Sequence, residues 1–362
     1  MEIDSKSRIE EIDMLRGVAI IITVIAHSKL LFLWSPPWLL WIHENFLFGN
    51  GVDLFFVISG FVVTRSLLDR FLDWPTFFLE YRFFIIRRFW RLAPAALFFC
   101  IFYLIYSLVS RSGEVGSFLL NLKNLVAVVT LTANLRDQSN LMAVYWTLAS
   151  EWQFYIVLPF VVFIISKSPK IGIFLIFLSL LFLFLFGGDL KFTKLRFDAM
   201  IYGVFLAYVY RLRQYKDLEP TFLASKAVAF FVSLFSIFLI VFLPKALAGI
   251  SASVLLGLVS INCFFLVWIS SYRKKYFLGY FSDLLHIIGA RSYSIYLAHG
   301  PVLYVTHDIW YLIANKEASE IGGDFTLRYF VTFVVLLVVV SEMSYRFLEL
   351  RFSKFNFIHA AA

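Results

Sequence analysis

Arg16 and His27 are ionisable side chains within one apolar run, DMLRGVAIIITVIAHSKL, and they lie eleven residues apart. Eleven residues are about three turns of an α-helix, so one helix would carry both on nearly one face, roughly 16 Å apart. Ionisable groups are costly inside a membrane and usually mark a functional path, and an imidazole there can serve as a general base. The alternative is that Arg16 extends to the interface and His27 is a hydrogen-bonded packing residue.

Three further ionisable side chains fall within or beside apolar runs: Asp53, Glu151 in YWTLASEWQFY, and His299 in GARSYSIYLAHGP. A carboxylate beside an imidazole raises its basicity and fixes its tautomer, which suits deprotonation of a hydroxyl near neutral pH. We therefore predict that these groups converge in the outer and middle part of one helical bundle. The alternatives are that Glu151 pairs with an arginine of a neighbouring helix and that His299 is a satisfied packing residue.

A basic segment, RRFWRLAP, contains Arg87, Arg88 and Arg91. Positions three and four apart share a helix face, and arginines so placed bind phosphate oxygens bidentately. The segment is a candidate site for the phosphates of a nucleotide-bearing substrate. Anchoring to anionic lipid is the alternative.

Ser59 and Gly60 in GVDLFFVISGF allow a backbone or a ligand chain to approach a helix closely, although a packing notch between helices has the same signature. The sequence has no phosphate-binding loop, HExxH, CxxC or GxSxG pattern, which disfavours hydrolase and metalloenzyme classes. Cys100 and Cys263 both lie in apolar runs, so we predict neither a disulfide nor a metal site.

The composition indicates an integral membrane protein, since 61% of the 362 residues are apolar and only 15% are charged. We predict an all-α, polytopic bundle of about ten transmembrane helices, with long connections at 71–91 and 111–141. The short apolar stretch 118–132 is interpreted as re-entrant or interfacial. The predicted spans are 12–33, 51–70, 92–110, 142–165, 171–187, 196–212, 227–244, 247–270, 286–312 and 327–349.

Lysines and arginines are concentrated in alternate connections, which predicts that both termini are cytoplasmic. The other set of loops includes WSPPWLLW, whose tryptophans are typical of an interfacial anchor on the outer side. The net charge of +8 therefore reflects membrane orientation and contact with lipid, and we predict no nucleic-acid partner.

In combination, these segments resemble the acyltransferase-3 family of polytopic membrane acyltransferases over nearly the whole chain. The motifs are the Arg16 to His27 spacing, GVDLFFVISGF, RRFWRLAP, YWTLASEWQFY, GARSYSIYLAHGP and SEMSYRFLEL, in the order of the family. The resemblance implies that His27 is the catalytic histidine, Arg16 its paired basic residue and Glu151 the acidic residue of the fourth-helix motif. It also implies that Arg88 and Arg91 engage acyl-CoA. Many members carry an additional esterase-like domain, which this chain is expected to lack, leaving one transmembrane acyltransferase domain over 1–359.

The predicted function is transfer of an acyl group, by family habit acetyl from cytoplasmic acetyl-CoA, to a hydroxyl of a cell-surface glycan or lipid-linked saccharide. General-base catalysis and a transient acyl-histidine remain open as routes. The predicted location is a plasma membrane, the inner membrane of a bacterium, and a separate extracytoplasmic transferase is a possible partner. A transporter or flippase for a lipid-linked sugar is the rival hypothesis.

The predicted site comprises catalytic His27, Arg16 and Glu151; donor-binding Arg87, Arg88, Arg91, Ser59 and Gly60; and substrate-binding Asp53, Trp146, Tyr155 and His299.

Overall fold

The structure is a computed structural model that describes residues 8–32, 34–68, 70, 74–110, 116–135, 144–186, 196–274, 276, 281–315 and 320–354. Every regular element within these ranges is helical. The α-helices are α1 (Glu10–His27), α2 (Pro37–Asn45), α3 (Gly51–Leu67), α4 (Trp74–Tyr106), α5 (Phe118–Val129), α6 (Tyr145–Lys167), α7 (Pro169–Phe186), α8 (Phe197–Tyr210), α9 (Lys226–Ala246), α10 (Ala252–Ser271), α11 (Ser282–Ala290), α12 (Ser292–Ala314), α13 (Thr326–Ser344) and α14 (Leu350–Lys354).

Six helical segments of the described chain are long and apolar enough to cross a membrane, and they include α3, α6, α9 and α10. A helix of about 20 residues is roughly 30 Å long, which matches the hydrocarbon core of a bilayer. Each of the ten predicted spans overlaps a helix. The protein is therefore an all-α, polytopic membrane protein, as its sequence predicts.

The fourth helix begins much earlier than predicted. α4 runs from Trp74 to Tyr106, so most of the expected connection 71–91 is helical. Arginine is a good helix former, and neither proline nor glycine interrupts residues 76–93. The arginines end the apolar run without ending the helix, which is why hydropathy placed the start near residue 92.

The predicted ninth span, 286–312, is two helices rather than one. α11 ends at Ala290 and α12 begins at Ser292, with Arg291 between them. The last helix also departs from regular geometry, because Tyr345–Glu349 forms a π-helical segment before α14. Such segments are rare and frequently occur at functional sites.

The described residues fall into two compact units. The first unit lies within Met1–Thr23, Asn45–Tyr81 and Phe154–Ala290. Its helices approach closely at glycines: a Cβ on Gly17 would overlap the backbone of Leu285 in α11. Small residues at such crossings allow the tight helix packing that is typical of membrane proteins.

The second unit lies within Val24–Glu44, Arg82–Gln153 and Arg291–Ala362. It contains the end of α1, nearly all of α2, the start of α6, and the whole of α5, α12 and α13. α5 has 12 residues, about 18 Å at 1.5 Å per residue, which is too short to span a bilayer. That length suits the predicted re-entrant or interfacial segment, although its position in the membrane stays a prediction.

Candidate active site

His27 and His299 lie next to each other in the second unit. The ring centroids are 4.9 Å apart, and the ring planes are inclined by 49°. His27 is the last residue of α1 and is half-buried, whereas His299, in the first half of α12, is only 1% exposed. The structure therefore brings together the two histidines that the sequence singles out.

The backbone of α12 fixes the tautomer of His299. Its Nδ1 atom lies 2.6 Å from the carbonyl oxygen of Tyr296. A carbonyl oxygen can only accept a hydrogen bond, so Nδ1 carries the proton and donates it. In the neutral ring, Nε2 then has an unshared electron pair and acts as an acceptor.

Tyr296 connects α12 to the start of α6. Its hydroxyl donates to the carbonyl of Val144 at 2.6 Å and lies 2.6 Å from the hydroxyl of Thr147. Glu151, four residues after Thr147 and hence on the same side of α6, interacts electrostatically with Tyr296. The predicted acidic residue is thus close to the turn of α12 that precedes His299. Trp146, also on α6, is half-buried.

The predicted phosphate-binding arginines lie on the middle of α4. Arg87 and Arg88 are half-buried, and Arg91 is exposed. The guanidinium of Arg88 lies 5.5 Å from the centroid of the Phe84 ring, and Arg91 interacts electrostatically with Glu349. The segment therefore presents cationic groups at the surface of the second unit.

The motif SEMSYRFLEL fixes the start of α12. Glu342 pairs with Arg291, the residue that precedes α12, and its carboxylate lies 2.5 Å from Nε of Arg346. Glu349 accepts a hydrogen bond from Ser294, in the first turn of α12. These contacts hold the N-terminal end of the helix that carries His299.

Arg16 lies in the part of α1 that belongs to the first unit. Its Nη1 atom is 2.7 Å from the carboxylate of Asp13. Asp13 is 1% exposed, and its carboxylate is also 2.5 Å from Arg8 and 4.0 Å from Nε2 of His286. Asp13 therefore balances the charge of Arg16. The predicted role of Arg16 as the basic residue that acts with His27 stays a prediction.

Asp53 has a structural partner that the sequence analysis missed. The carboxylate pairs with Arg196, which precedes α8 and also lies 3.3 Å from Asp198. Arg196 has a left-handed backbone conformation, with φ at 47°. No motif identified Arg196, because it stands alone at the end of a polar connection. The substrate role of Asp53 stays a prediction beside this observed pairing.

Ser59 and Gly60 take part in helix packing within the first unit. The Ser59 hydroxyl lies 2.8 Å from the hydroxyl of Tyr155, and both residues are buried. A Cβ on Gly60 would overlap the backbone of Met200, and Gly203 of α8 faces the same crossing. The packing alternative therefore accounts for the Ser59–Gly60 notch, and donor binding there stays a prediction.

A second polar pair, which is partly buried, was also missed. The hydroxyl of Tyr106, at the end of α4, donates to the carboxylate of Asp308 in α12 at 2.5 Å. The two residues are 202 positions apart, so no spacing rule connects them. Among the described residues, no group of three or more His, Cys, Asp or Glu side chains is arranged to hold a metal ion.

Comparison with known families shows to which family the chain belongs. Residues 9–341 match the family model described as an acyltransferase domain, Acyl_transf_3. The chain belongs to the acyltransferase-3 family. The matched range includes His27, His299 and the arginines of α4, and their roles stay predictions.

Curated relatives of the chain are found in Staphylococcus aureus. A protein of strain COL, named as a candidate O-acetyltransferase, is 27% identical over 373 residues, covering 95% of this chain and 57% of the relative. The O-acetyltransferase OatA of strain NCTC 8325 is 26% identical over 379 residues, covering 96% of this chain and 57% of OatA. The chain thus spans little more than half the length of these relatives. No solved structure matches it.

Proposed function

We propose that the protein is a membrane-embedded O-acyltransferase. Its donor is acyl-CoA, most simply acetyl-CoA, on the cytoplasmic side, and its acceptor is a hydroxyl of a cell-surface glycan or lipid-linked saccharide. Family membership over residues 9–341 supports acyl transfer, and the relative named O-acetyltransferase OatA supports oxygen as the accepting atom. The observation that supports the site is that the rings of half-buried His27 and buried His299 lie against each other, with their centroids 4.9 Å apart.

His27 is the general base in this proposal. Its unprotonated ring nitrogen takes the proton of the acceptor hydroxyl as the hydroxyl oxygen attacks the carbonyl carbon of the thioester. The new C–O bond forms, the C–S bond breaks, and the CoA sulfur leaves with the proton from His27. Glu151 favours the imidazolium that forms transiently, because a nearby carboxylate stabilises a positive charge.

The arginines of α4 bind the donor in this proposal. CoA carries several phosphates, and the cationic groups of Arg87, Arg88 and Arg91 suit bidentate binding of phosphate oxygens. Arg91 is exposed, so a soluble ligand can reach it. Arg16 precedes His27 by three turns of α1 and is proposed to contact the pantetheine arm of the donor. Ser59 and Gly60 are also proposed donor contacts.

The proposed orientation places both termini and the arginines of α4 in the cytoplasm of a bacterium, with His27 towards the outer side of its plasma membrane. The distribution of lysines and arginines supports it. A separate extracytoplasmic transferase is a proposed partner. Asp53, Trp146 and Tyr155 remain proposed acceptor contacts.

The test uses the full chain in proteoliposomes with radiolabelled acetyl-CoA and lipid-linked saccharides extracted from bacterial membranes. We expect acceptor-dependent release of CoA, reduced about 10²–10⁴-fold in His27→Ala. The matched control is His43→Ala, which removes another half-buried histidine, 3.3 Å from Ser28, and should retain activity. Wild-type turnover by His27→Ala would overturn the assignment of the base. Transmembrane movement of the saccharide without CoA release would favour the transporter hypothesis.

A further inference from the structure

A cavity of about 500 Å³ lies within the second unit, between α4, α12, and α13 with the π-helical segment that follows it. Ligand pockets in proteins typically measure about 300–1,000 Å³. The wall includes Phe98 and Phe102 of α4, Val305 of α12 and Leu336 of α13. Every residue of the wall except Ser344 is apolar, so the cavity suits a hydrocarbon rather than a sugar or a nucleotide.

Two departures from regular helix geometry form part of this wall. Pro301 lies inside α12, where proline removes a backbone N–H and crowds the carbonyl group one turn before it. Phe347 and Leu348 belong to the π-helical segment Tyr345–Glu349. Such segments are rare and frequently occur at functional sites. The wall of the cavity is therefore formed where regular helical geometry is interrupted in two helices.

The surroundings of the cavity are those of a lipid bilayer. α4 and α13 belong to segments that are long and apolar enough to cross a membrane, and only 17% of the apolar window around α13 is buried inside the protein. From Leu336 to Leu348 the wall extends over about 18 Å at 1.5 Å per residue. One leaflet of a bilayer contributes about 15 Å of hydrocarbon thickness. The cavity therefore matches one acyl chain of a lipid in length.

The two ends of the cavity differ in charge. One turn beyond Val305, the carboxylate of Asp308 accepts a hydrogen bond from Tyr106. At the opposite end, Arg351 and Lys354 lie within two turns of the π-helical part of the wall. Both are exposed and, within the described part of the chain, neither forms an ion pair. An anionic headgroup would be repelled at Asp308 and attracted at the opposite end.

We propose that this cavity binds one anionic phospholipid of the bilayer, with an acyl chain in the cavity and the phosphate at Arg351 and Lys354. Basic groups beside grooves between membrane helices are typical binding sites for anionic lipid headgroups. The apolar wall binds the chain, and the charge at its end selects the headgroup. This lipid is neither donor nor acceptor in the proposed acyl transfer, so the inference does not depend on that reaction.

Native mass spectrometry of the full chain in detergent tests this site. The protein is titrated with dioleoyl-phosphatidylglycerol, which is anionic, with dioleoyl-phosphatidylcholine, which is zwitterionic and has the same chains, and with a polyprenyl phosphate. We expect one phosphatidylglycerol to bind roughly tenfold or more tightly than phosphatidylcholine. Arg351→Gln combined with Lys354→Gln should raise the Kd for phosphatidylglycerol by roughly 10–30-fold, because two cationic groups are lost. Val305→Phe should weaken the binding of both phospholipids, because the larger side chain fills part of the cavity.

The matched controls change residues outside this site. Lys245→Gln removes an exposed lysine of α9, and Val335→Phe enlarges an exposed side chain of α13 that is not part of the wall. Both variants should bind phosphatidylglycerol like the wild type, and thermal unfolding followed by circular dichroism checks that every variant is folded.

Three results would overturn the proposal. The first is equal affinity of the wild type for the two phospholipids. The second is loss of phosphatidylglycerol binding in the double charge variant with no change in Val305→Phe, because the headgroup would then adsorb at the surface without a chain in the cavity. The third is much tighter binding of the polyprenyl phosphate that is lost in Val305→Phe, because the cavity would then hold an isoprenoid chain.

Discussion

The carboxylate of Asp53 is paired with the guanidinium of Arg196 in the interior of the first unit, where the two side chains are only 1% and 16% exposed. Removing one member of a buried ion pair leaves the other charge uncompensated, at a typical cost of about 3–5 kcal/mol. We therefore expect Asp53→Asn to lower the thermal unfolding temperature clearly. Scanning fluorimetry of the protein in detergent measures this effect.

The control for this prediction removes both charges. Asp53→Leu combined with Arg196→Met should be less destabilised than Asp53→Leu alone, because replacing a whole buried pair by apolar groups is often nearly neutral. If Asp53→Asn had the unfolding temperature of the wild type but no longer acylated the acceptor, the ion pair would be dispensable for stability. Asp53 would then serve as a substrate residue.

Gly60 allows α3 to approach α8 so closely that an added Cβ would overlap the backbone of Met200. We expect Gly60→Ala to destabilise the protein by about 1–3 kcal/mol through overpacking. The matched control is Gly49→Ala, because a Cβ there meets nothing within 4 Å. Weaker binding of acetyl-CoA by Gly60→Ala without loss of stability would favour the alternative that a ligand chain passes this notch.

The sequence predicts the helices well because long apolar runs have few structural alternatives in a membrane. It also singles out His27 and His299, since each is a costly side chain within such a run, and the structure places the two rings side by side. Their functional roles stay predictions. The sequence analysis placed the start of α4 too late, because the arginines of α4 interrupt the apolar run but not the helix. Arg196 and the pair of Tyr106 with Asp308 were missed because their contacts join distant segments, and the position of each residue in its own segment carries no signal.

Arg88 is predicted to contribute to binding of the donor phosphates. A charge-assisted hydrogen bond is typically worth about 1.5–3 kcal/mol, so Arg88→Ala should raise the Kd for acetyl-CoA by roughly tenfold or more. The loss should be larger at low salt, where charges are less screened. Isothermal titration calorimetry at two ionic strengths measures both effects.

The matched control for Arg88 is Arg82→Ala, which removes an exposed arginine from the same helix. It should change the Kd little, because it lies outside the RRFWRLAP segment. Equal weakening by both substitutions would indicate a general electrostatic attraction of CoA to a basic surface. An unchanged Kd in Arg88→Ala would reject its role in binding.

The proposed orientation is testable because Cys100 and Cys263, the two cysteines of the chain, are both free and 0% exposed. A membrane-impermeant maleimide should therefore react little with the wild-type protein. Trp41→Cys introduces a thiol at an exposed position of α2, and Arg213→Cys introduces one at an exposed position after α8.

In intact bacterial cells we expect the maleimide to label Trp41→Cys, because the WSPPWLLW loop is proposed to face outward. Arg213→Cys should be labelled only after the membrane is permeabilised, because that basic connection is proposed to be cytoplasmic. Labelling in the reverse pattern would place the arginines of α4 outside the cell. Cytoplasmic acyl-CoA would then be unable to reach them, and both the orientation and the proposed donor path would have to be abandoned together.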